Sequence, residues 1–380
     1  MPAVSIAPSE DLLAELKTWV EIETPTHDAA RVNRLMDVVH RGLAEAGAEI
    51  TRIPGRDGFG DNLVATAVTS ACRDPKAKPI LVLSHLDTVW PAGSLQRMPF
   101  RVDGDIAYGP GIVDMKAGAF AAFHAMRQIL RDDIATNVPI RFLLTPDEEV
   151  GSPTSRDLIE REAARASLVL VTEAAQGDDR CVTARKGVGR FTVTVTGVNA
   201  HAGAAYEDGA SAILELSRQI VRLNELVDIP NGITLNVAPV SGGTVPNVIA
   251  DHASCEVDLR VPTIPEGERL ERLILGLQPS DPRCKVTIAG GMNRPSWAET
   301  PDGLRLYERV RGIGAGVGLT IGKMLRGGGS DGNFTATMGV PTVDGLGCPG
   351  AGAHAPHEQI RWRELHKRTA LMAALMEELG

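Results

Sequence analysis

Apolar positions recur along this chain in two rhythms, and the change between them divides the sequence. Leu12, Leu13, Leu16, Trp19 and Val20 share one helical face behind the start signal Pro8–Ser9. Helical spacing returns from about Arg31 to Ala46. Four short apolar runs follow: Leu63–Val68, Ile80–Ser84, Ile140–Thr145 and Leu168–Thr172. Helical patterns over Gly118–Arg131 and Ser155–Ala166 alternate with the later runs. Continuous apolar strands spaced by helices predict an α/β domain, a mixed and mostly parallel sheet sandwiched by helices.

From Arg190 the rhythm changes. RFTVTVTG alternates strictly, as a strand with one wet face must. A helix over Gly209–Leu226, strands at Gly232–Val240 and Ser254–Val261, a helix at Glu266–Leu277 and a strand at Cys284–Ala289 complete the order β-α-β-β-α-β, a ferredoxin-like pattern. Residues 186–296 therefore read as an inserted domain, with 1–185 and 297–380 forming a discontinuous one. The closing segment returns to the first style, with a helix at Asp302–Val317, a strand at Pro341–Leu346 and a helix at Ile360–Leu379.

Composition narrows the function classes. A chain of 380 residues is long for one core, which agrees with two domains. The net charge is −9, aromatics make up 4%, and no Lys/Arg cluster interleaves with them, which argues against a nucleic-acid surface. Five cysteines, odd in number and never in a C-x-x-C pair, argue against a disulfide framework and a thiolate metal site. The opening residues lack a basic and an apolar leader region, and no later run is long enough to span a bilayer. These features predict a cytoplasmic protein that does not bind membranes. GIGAGVG at 312–318 follows a helix and lacks G-x-G-x-x-G spacing, which argues against a dinucleotide site.

Candidate chemistry gathers at the ends of the buried runs. LVLSHLDTVW ends its strand on His85 with Asp87 two residues on. Asp114 lies in YGPGIVDMKAG, Glu148 and Glu149 in RFLLTPDEEVGS, Glu173 in LVLVTEA and His354 in GCPGAGAHAPHE. Each alone has a structural explanation: a hydrogen-bonded histidine, a helix cap, a solvated turn, a salt-bridge partner. Ligands of parallel sheets bind beyond the carboxyl ends of the strands, so these residues converge. Three uncompensated carboxylates there would repel one another, and a cation resolves the conflict.

Imidazole and carboxylate without thiolate suit zinc, with cobalt or manganese as substitutes. Five ligands (His85, Asp114, Glu149, Glu173, His354) exceed one open tetrahedral site, but fit two ions about 3.5–4 Å apart. Asp87 is then placed to hold the other nitrogen of His85, and Glu148 to move the proton of an attacking water.

These segments, in this order, resemble the di-zinc family that includes acetylornithine deacetylase, succinyl-diaminopimelate desuccinylase, aminoacylase and bacterial glutamate carboxypeptidase. SHLDTV, YGPGIVDMKAG, DEEVGS, TEA and GAHAPHE carry the likeness across nearly the whole chain. GVNAHAGAAYEDGASAI and GGTVPNVIADHASCEVDLRVP extend it into the insert. FRVDGDIAYGPGIVDMKAG, GSPTSRDLI and HAGAA look most like the folate-cleaving glutamate carboxypeptidases.

The resemblance implies a zinc-peptidase-like catalytic domain carrying a lid that also dimerises. Asp114 would bridge two ions, His85 and Glu173 would complete one site, and Glu149 and His354 the other. Glu148 would be the base and acid, and the Asp114–Met115 peptide would be cis. His354 fits the H-x-x-x-E ending with Glu358, and His357 occupies a variable slot. In the lid, His201 would stabilise the oxyanion, often from the partner subunit, while Asn247 and Arg260 would bind substrate. GGGSD at 327–331 resembles a loop that cradles the substrate carboxylate, giving Gly328, Gly329 and Ser330 as binding residues with Arg326 assisting. Ser211 stands where many members have Asn, and Arg326 is shifted by one position; neither departure touches the metal chemistry.

The expected function is hydrolysis of an amide bond beside a free carboxylate, in a homodimer paired through 186–296. A glutamate carboxypeptidase comes first, and an N-acyl-amino-acid deacylase or dipeptidase second. A non-catalytic metal-stabilised binding protein is the rival from a different class, disfavoured by the presence of Glu148.

Overall fold

The computed structural model describes residues 5–177 and 179–380. The chain forms two compact units. One takes the chain up to Thr183 with Glu299–Leu325 and Ser330–Gly380, the other Ala184–Ala298 with Arg326–Gly329. The insert's bounds thus widen by two residues at each end, and Arg326–Gly329, which the sequence rhythm places in the first unit, also belong to the second. Backbone and side-chain bonds explain this. Lys186 N–H donates to the Arg326 carbonyl at 3.1 Å, and the Arg185 guanidinium to the Gly328 carbonyl at 2.8 Å.

The first unit is built on six strands in the order Glu49–Ile53, Asn62–Ala67, Ile140–Thr145, Ile80–His85, Leu168–Val171 and Thr342–Val343. The last four are parallel and the first two join antiparallel. Alternate residues of the runs serve opposite faces, which is why the runs are apolar without a break. Leu63, Ile80, Val82, Phe142, Leu144 and Leu170 share a core with helices Ser9–Val20, Ala29–Ala46, Ala117–Arg131 and Leu365–Glu378. Val64, Leu81, Leu83, Leu143 and Val169 pack instead against Leu158 and Ile159 of helix Arg156–Arg165 and against Phe334. The helices therefore cover both faces.

In the second unit, strands Thr234–Gly242, His252–Val261, Gly187–Thr196 and Lys285–Arg294 form, in that order, a wholly antiparallel sheet. Helices Ala212–Asn224 and Ile264–Leu275 close one face, with Leu216, Leu223, Leu270 and Ile274 against Phe191, Val193, Val195 and Leu259. Ser211 Oγ accepts the Leu214 N–H at 3.2 Å and caps the first of these helices. Serine and asparagine cap equally well, so Ser211 meets the local need that an asparagine would meet. Among the described residues no helix is long and apolar enough to cross a membrane.

Candidate metal centre

Strand register brings the candidates to one edge of the first unit's sheet. His85 pairs with Thr145 and Leu83 with Val171, so the residues just beyond these strands emerge side by side. Those residues are Glu148 and Glu149, on a single turn over Glu148–Val150, and Glu173. Asp114 arrives from the irregular segment that opens helix Ala117–Arg131. Gly118 permits that approach, because a Cβ there would lie 1.8 Å from the Thr172 carbonyl oxygen.

The five proposed ligands converge. His85 Nε2 is 3.3 Å from Asp114 Oδ1 and 3.6 Å from Glu173 Oε1. His354 Nε2 is 3.3 Å from Asp114 Oδ2 and 3.1 Å from Glu149 Oε2. Glu148 approaches His85 Nε2 to 4.0 Å. The Asp114–Met115 peptide is cis, and His354 has a φ of 62°, a left-handed conformation uncommon for residues other than glycine.

Asp87 does more than hold a ring. Its carbonyl and Oδ1 lie 3.0 and 3.3 Å from His85 Nδ1. Its carboxylate also accepts the N–H groups of Glu148 and Glu149, both at 3.2 Å, and the Thr26 hydroxyl at 2.8 Å. One buried side chain thus fixes His85 and the two-glutamate turn together. The turn is braced again from behind, where Asp147 accepts the Thr154 N–H and hydroxyl at 2.7 Å and the Ser155 hydroxyl.

Electrostatics show what the cluster lacks. Burial opposes ionisation of Asp114, yet His354 and His85 outweigh it and hold its carboxyl well below the usual carboxylate range. Burial, with the Asp114 charge nearby, pushes the Glu149 carboxyl up to about 7. Asp114 and Glu149 raise the His354 imidazole to about 10. Burial disfavours charge on His85, but Asp114, Asp87 and Glu173 raise its imidazole well above the ordinary value. Without a cation, the crowded carboxylates favour the protonated form of both histidines.

A divalent cation answers the same demand with more charge. Two buried atoms, His85 Nε2 and Glu149 Oε1, have no hydrogen-bond partner. Donor atoms of His85, Glu148 and Glu173 lie within 4.8 Å of one another, as do those of His85, Asp114 and Glu149. Unpartnered imidazole nitrogen and carboxylate oxygen in such a cluster fit a metal site.

The remaining predicted residues are not part of this cluster. His201, Asn247 and Arg260 belong to the second unit. His201 and Asn247 are exposed and lie on two segments joined by an isolated antiparallel bridge between His201 and Val248, where Ala202 N–H donates to the Asn247 carbonyl at 3.0 Å. Arg260 forms a two-pronged pair with Asp258, at 2.6 and 2.7 Å. Gly328 and Gly329 turn carbonyls toward Arg185 Nη1, at 2.8 and 3.3 Å. Gly329 has a packing reason to be glycine, since a Cβ there would come within 2.7 Å of Arg294 Cδ. Arg326 is half-buried in the same unit.

Ser330 is held by the fold itself. Sequence reading made it a substrate contact, but it is fully buried and its hydroxyl donates to Asp344 at 2.7 Å and accepts the Gly332 N–H at 3.1 Å. Asp331 beside it accepts the Ser152 hydroxyl and so ties the GGGSD loop to the turn bearing Glu149. The serine and aspartate of GGGSD fasten the loop. Ser330→Ala should therefore lower stability by about 1–3 kcal/mol in denaturant melts, by leaving a buried carboxylate short of a donor, while KM stays unchanged. A raised KM with unaltered stability would restore the substrate role.

Sequence reasoning also missed supports. Lys116, fully buried, donates to the Ile22 carbonyl at 2.8 Å, and burial pulls its ammonium down to about 7. Thr26 and Trp90 bond to Asp87 and Glu358. Only Glu358 carried a signal, the H-x-x-x-E spacing from His354.

The profile of peptidase family M20/M25/M40 matches residues 81–378. The chain belongs to this family and is an M20 metallopeptidase, a hydrolase. Carboxypeptidase G2 from Pseudomonas sp. (strain RS-16) is 31% identical to it over 375 residues, covering 97% of this chain and 89% of that protein. Aminopeptidase PepT from Bacillus cereus ATCC 10987 has a similar fold, with a TM-score of 0.76 at 24% identity over 98% of both chains. The M20 family metallo-carboxypeptidase Sso-CP2 from Sulfolobus solfataricus gives 0.75 at 16% identity, over 97% of this chain and 98% of that one.

Proposed function

We propose that the chain is a carboxypeptidase with a pair of divalent ions at its centre, releasing a C-terminal amino acid, glutamate first, from peptides or N-acyl amino acids. One observation carries the reading. The two oxygens of Asp114 face different imidazoles, Oδ1 toward His85 and Oδ2 toward His354, each at 3.3 Å. A carboxylate so placed suits a bridge, with His85 and Glu173 serving one ion and His354 and Glu149 the other. Zinc is the proposed metal, with cobalt or manganese as substitutes. Bound there, the ions would polarise the scissile carbonyl and lower the pKa of water.

The residues divide the rest of the work. Glu148 takes the proton of the attacking water and delivers it to the departing amine. His201 donates to the oxyanion. Its Nδ1 accepts the N–H groups of Gly203 and Ala204 at 3.1 and 3.0 Å, so its proton resides on Nε2, the form such a donor needs. Asn247, Arg260, Arg326 and the Gly328–Gly329 backbone are assigned to the substrate carboxylate. Arg260 would exchange part of its pair with Asp258 for that contact.

The proposal extends to a homodimer in the cytoplasm. Ile213, Leu214 and Val221 on helix Ala212–Asn224 and Val240 on the sheet-edge strand expose apolar surface that a second copy would cover. Five free cysteines suit a reducing compartment.

A substrate panel tests the function: zinc- or cobalt-loaded protein with acylglutamates, folate-like glutamates, other N-acyl amino acids, N-acetylornithine and dipeptides. The expected result is the highest kcat/KM on substrates ending in glutamate. Turnover confined to dipeptides or acetylornithine would replace this reading with dipeptidase or deacylase.

A further inference from the structure

The segment Gly111–Met115 that presents Asp114 is neither regular helix nor strand, so its buried N–H groups need partners from elsewhere. They find one in a single side chain. Glu358, 1% exposed, accepts the N–H groups of Val113 at 2.9 Å and Asp114 at 3.1 Å on Oε1. On Oε2 it accepts the Gly111 N–H at 2.8 Å and the Trp90 indole N–H at 2.6 Å. An ionised carboxylate has about four acceptor positions, and here four donors occupy them.

Glu358 follows His354 by four residues, so one stretch of chain grips Asp114 twice. Its imidazole faces Asp114 Oδ2 at 3.3 Å, and its carboxylate holds the Asp114 backbone. We infer that Glu358 is a positioning residue, which sets the Asp114 carboxylate between the two imidazoles and thereby tunes affinity for both ions. The inference rests on the proposed metal centre. Glu358 touches neither substrate nor ion; it acts through the backbone it holds.

The test compares wild type with Glu358→Gln and Glu358→Asp. Glutamine keeps the length but turns an NH₂ toward two N–H donors, whereas aspartate keeps the charge but loses reach. Metal-free proteins are titrated with zinc against a competing chelator, and their melting temperatures are recorded without metal. Both variants should bind both ions about 10–100-fold more weakly than wild type, the usual effect of losing a partner behind a ligand. A purely structural anchor would lower the metal-free melting temperature and leave the dissociation constants at the wild-type value, which would overturn the inference. Should the glutamine variant fail to fold, the aspartate variant decides by the same criterion. Uptake of fewer than two ions by wild type overturns the metal-pair reading itself, and is seen without any variant.

Discussion

Glu148→Gln should still take up two divalent ions per chain, while kcat falls by about 10²–10⁴-fold, the range expected for loss of a general acid–base group. The basis is position. The Glu148 N–H is pinned at 3.2 Å by Asp87, and its carboxylate stays 4.0 Å from His85 Nε2, farther than Asp114 or Glu173. In the proposed centre Asp114, Glu149, Glu173 and the two imidazoles would provide the ligands, so losing one carboxylate charge nearby should leave the site able to bind. Metal content by elemental analysis and kcat on the best substrate decide the matter. A variant that keeps more than a few per cent of turnover removes Glu148 from proton transfer. A variant that loses one ion makes it a ligand instead.

Chelation should destabilise the protein, and increasingly so as pH rises. In the metal-free fold His354 is raised from 6.5 to about 10. Its stabilising contribution is therefore complete below about 6.5 and lost as pH climbs through about 10. Glu149 is raised from 4.5 to about 7, so its protonated form contributes fully below about 4.5 and the contribution is gone above about 7. Both changes have the same sign, because in the metal-free cluster protons offset the carboxylate charge. Metal affinity runs the other way, since ligands must shed protons to bind. The gap in melting temperature between zinc-loaded and chelated protein should widen from about pH 5 to about pH 9. Parallel curves would show that the cluster does not take the ions.

Much of the site was legible because parallel strands buried on both faces read as unbroken apolar runs. Ile80–His85, Ile140–Thr145 and Leu168–Val171 have nearly the predicted bounds, and their ends carry His85, the two glutamates and Glu173. The insert was legible for the opposite reason, since strand Gly187–Thr196 alternates buried and wetter positions along most of its length. Short elements were not. Strands Arg101–Asp103, Ile106–Tyr108, Gly350–Ala351 and Gln359–Arg361 pair with one another, but two or three residues show no period. Gln359–Arg361 therefore passed for the start of the final helix, which begins at Leu365. The predicted strand Pro341–Leu346 shrinks to Thr342–Val343, because Gly345 turns the chain at a φ of 75°. Hydrogen-bonding duties were hidden too. Nothing local distinguishes the buried Ser330 from a serine open to substrate.

The order in which the chain is made gives the long-range grip on Asp114 a different meaning. Asp114 and Glu358 are separated by 244 positions, and His354 comes almost as late. During translation the ribosome delivers His85, Asp114, Glu149 and Glu173 first, a concentration of negative charge with one imidazole among it. The second unit, nearly contiguous over Ala184–Ala298, is complete once Arg326–Gly329 have been made. Only when the last stretch emerges do His354, Glu358 and helix Leu365–Glu378 reach Asp114 and the helix that follows it. A nascent chain stalled before that point has four of the five proposed ligands and lacks His354. The full set of five proposed ligands thus exists only in a chain whose synthesis has passed residue 354.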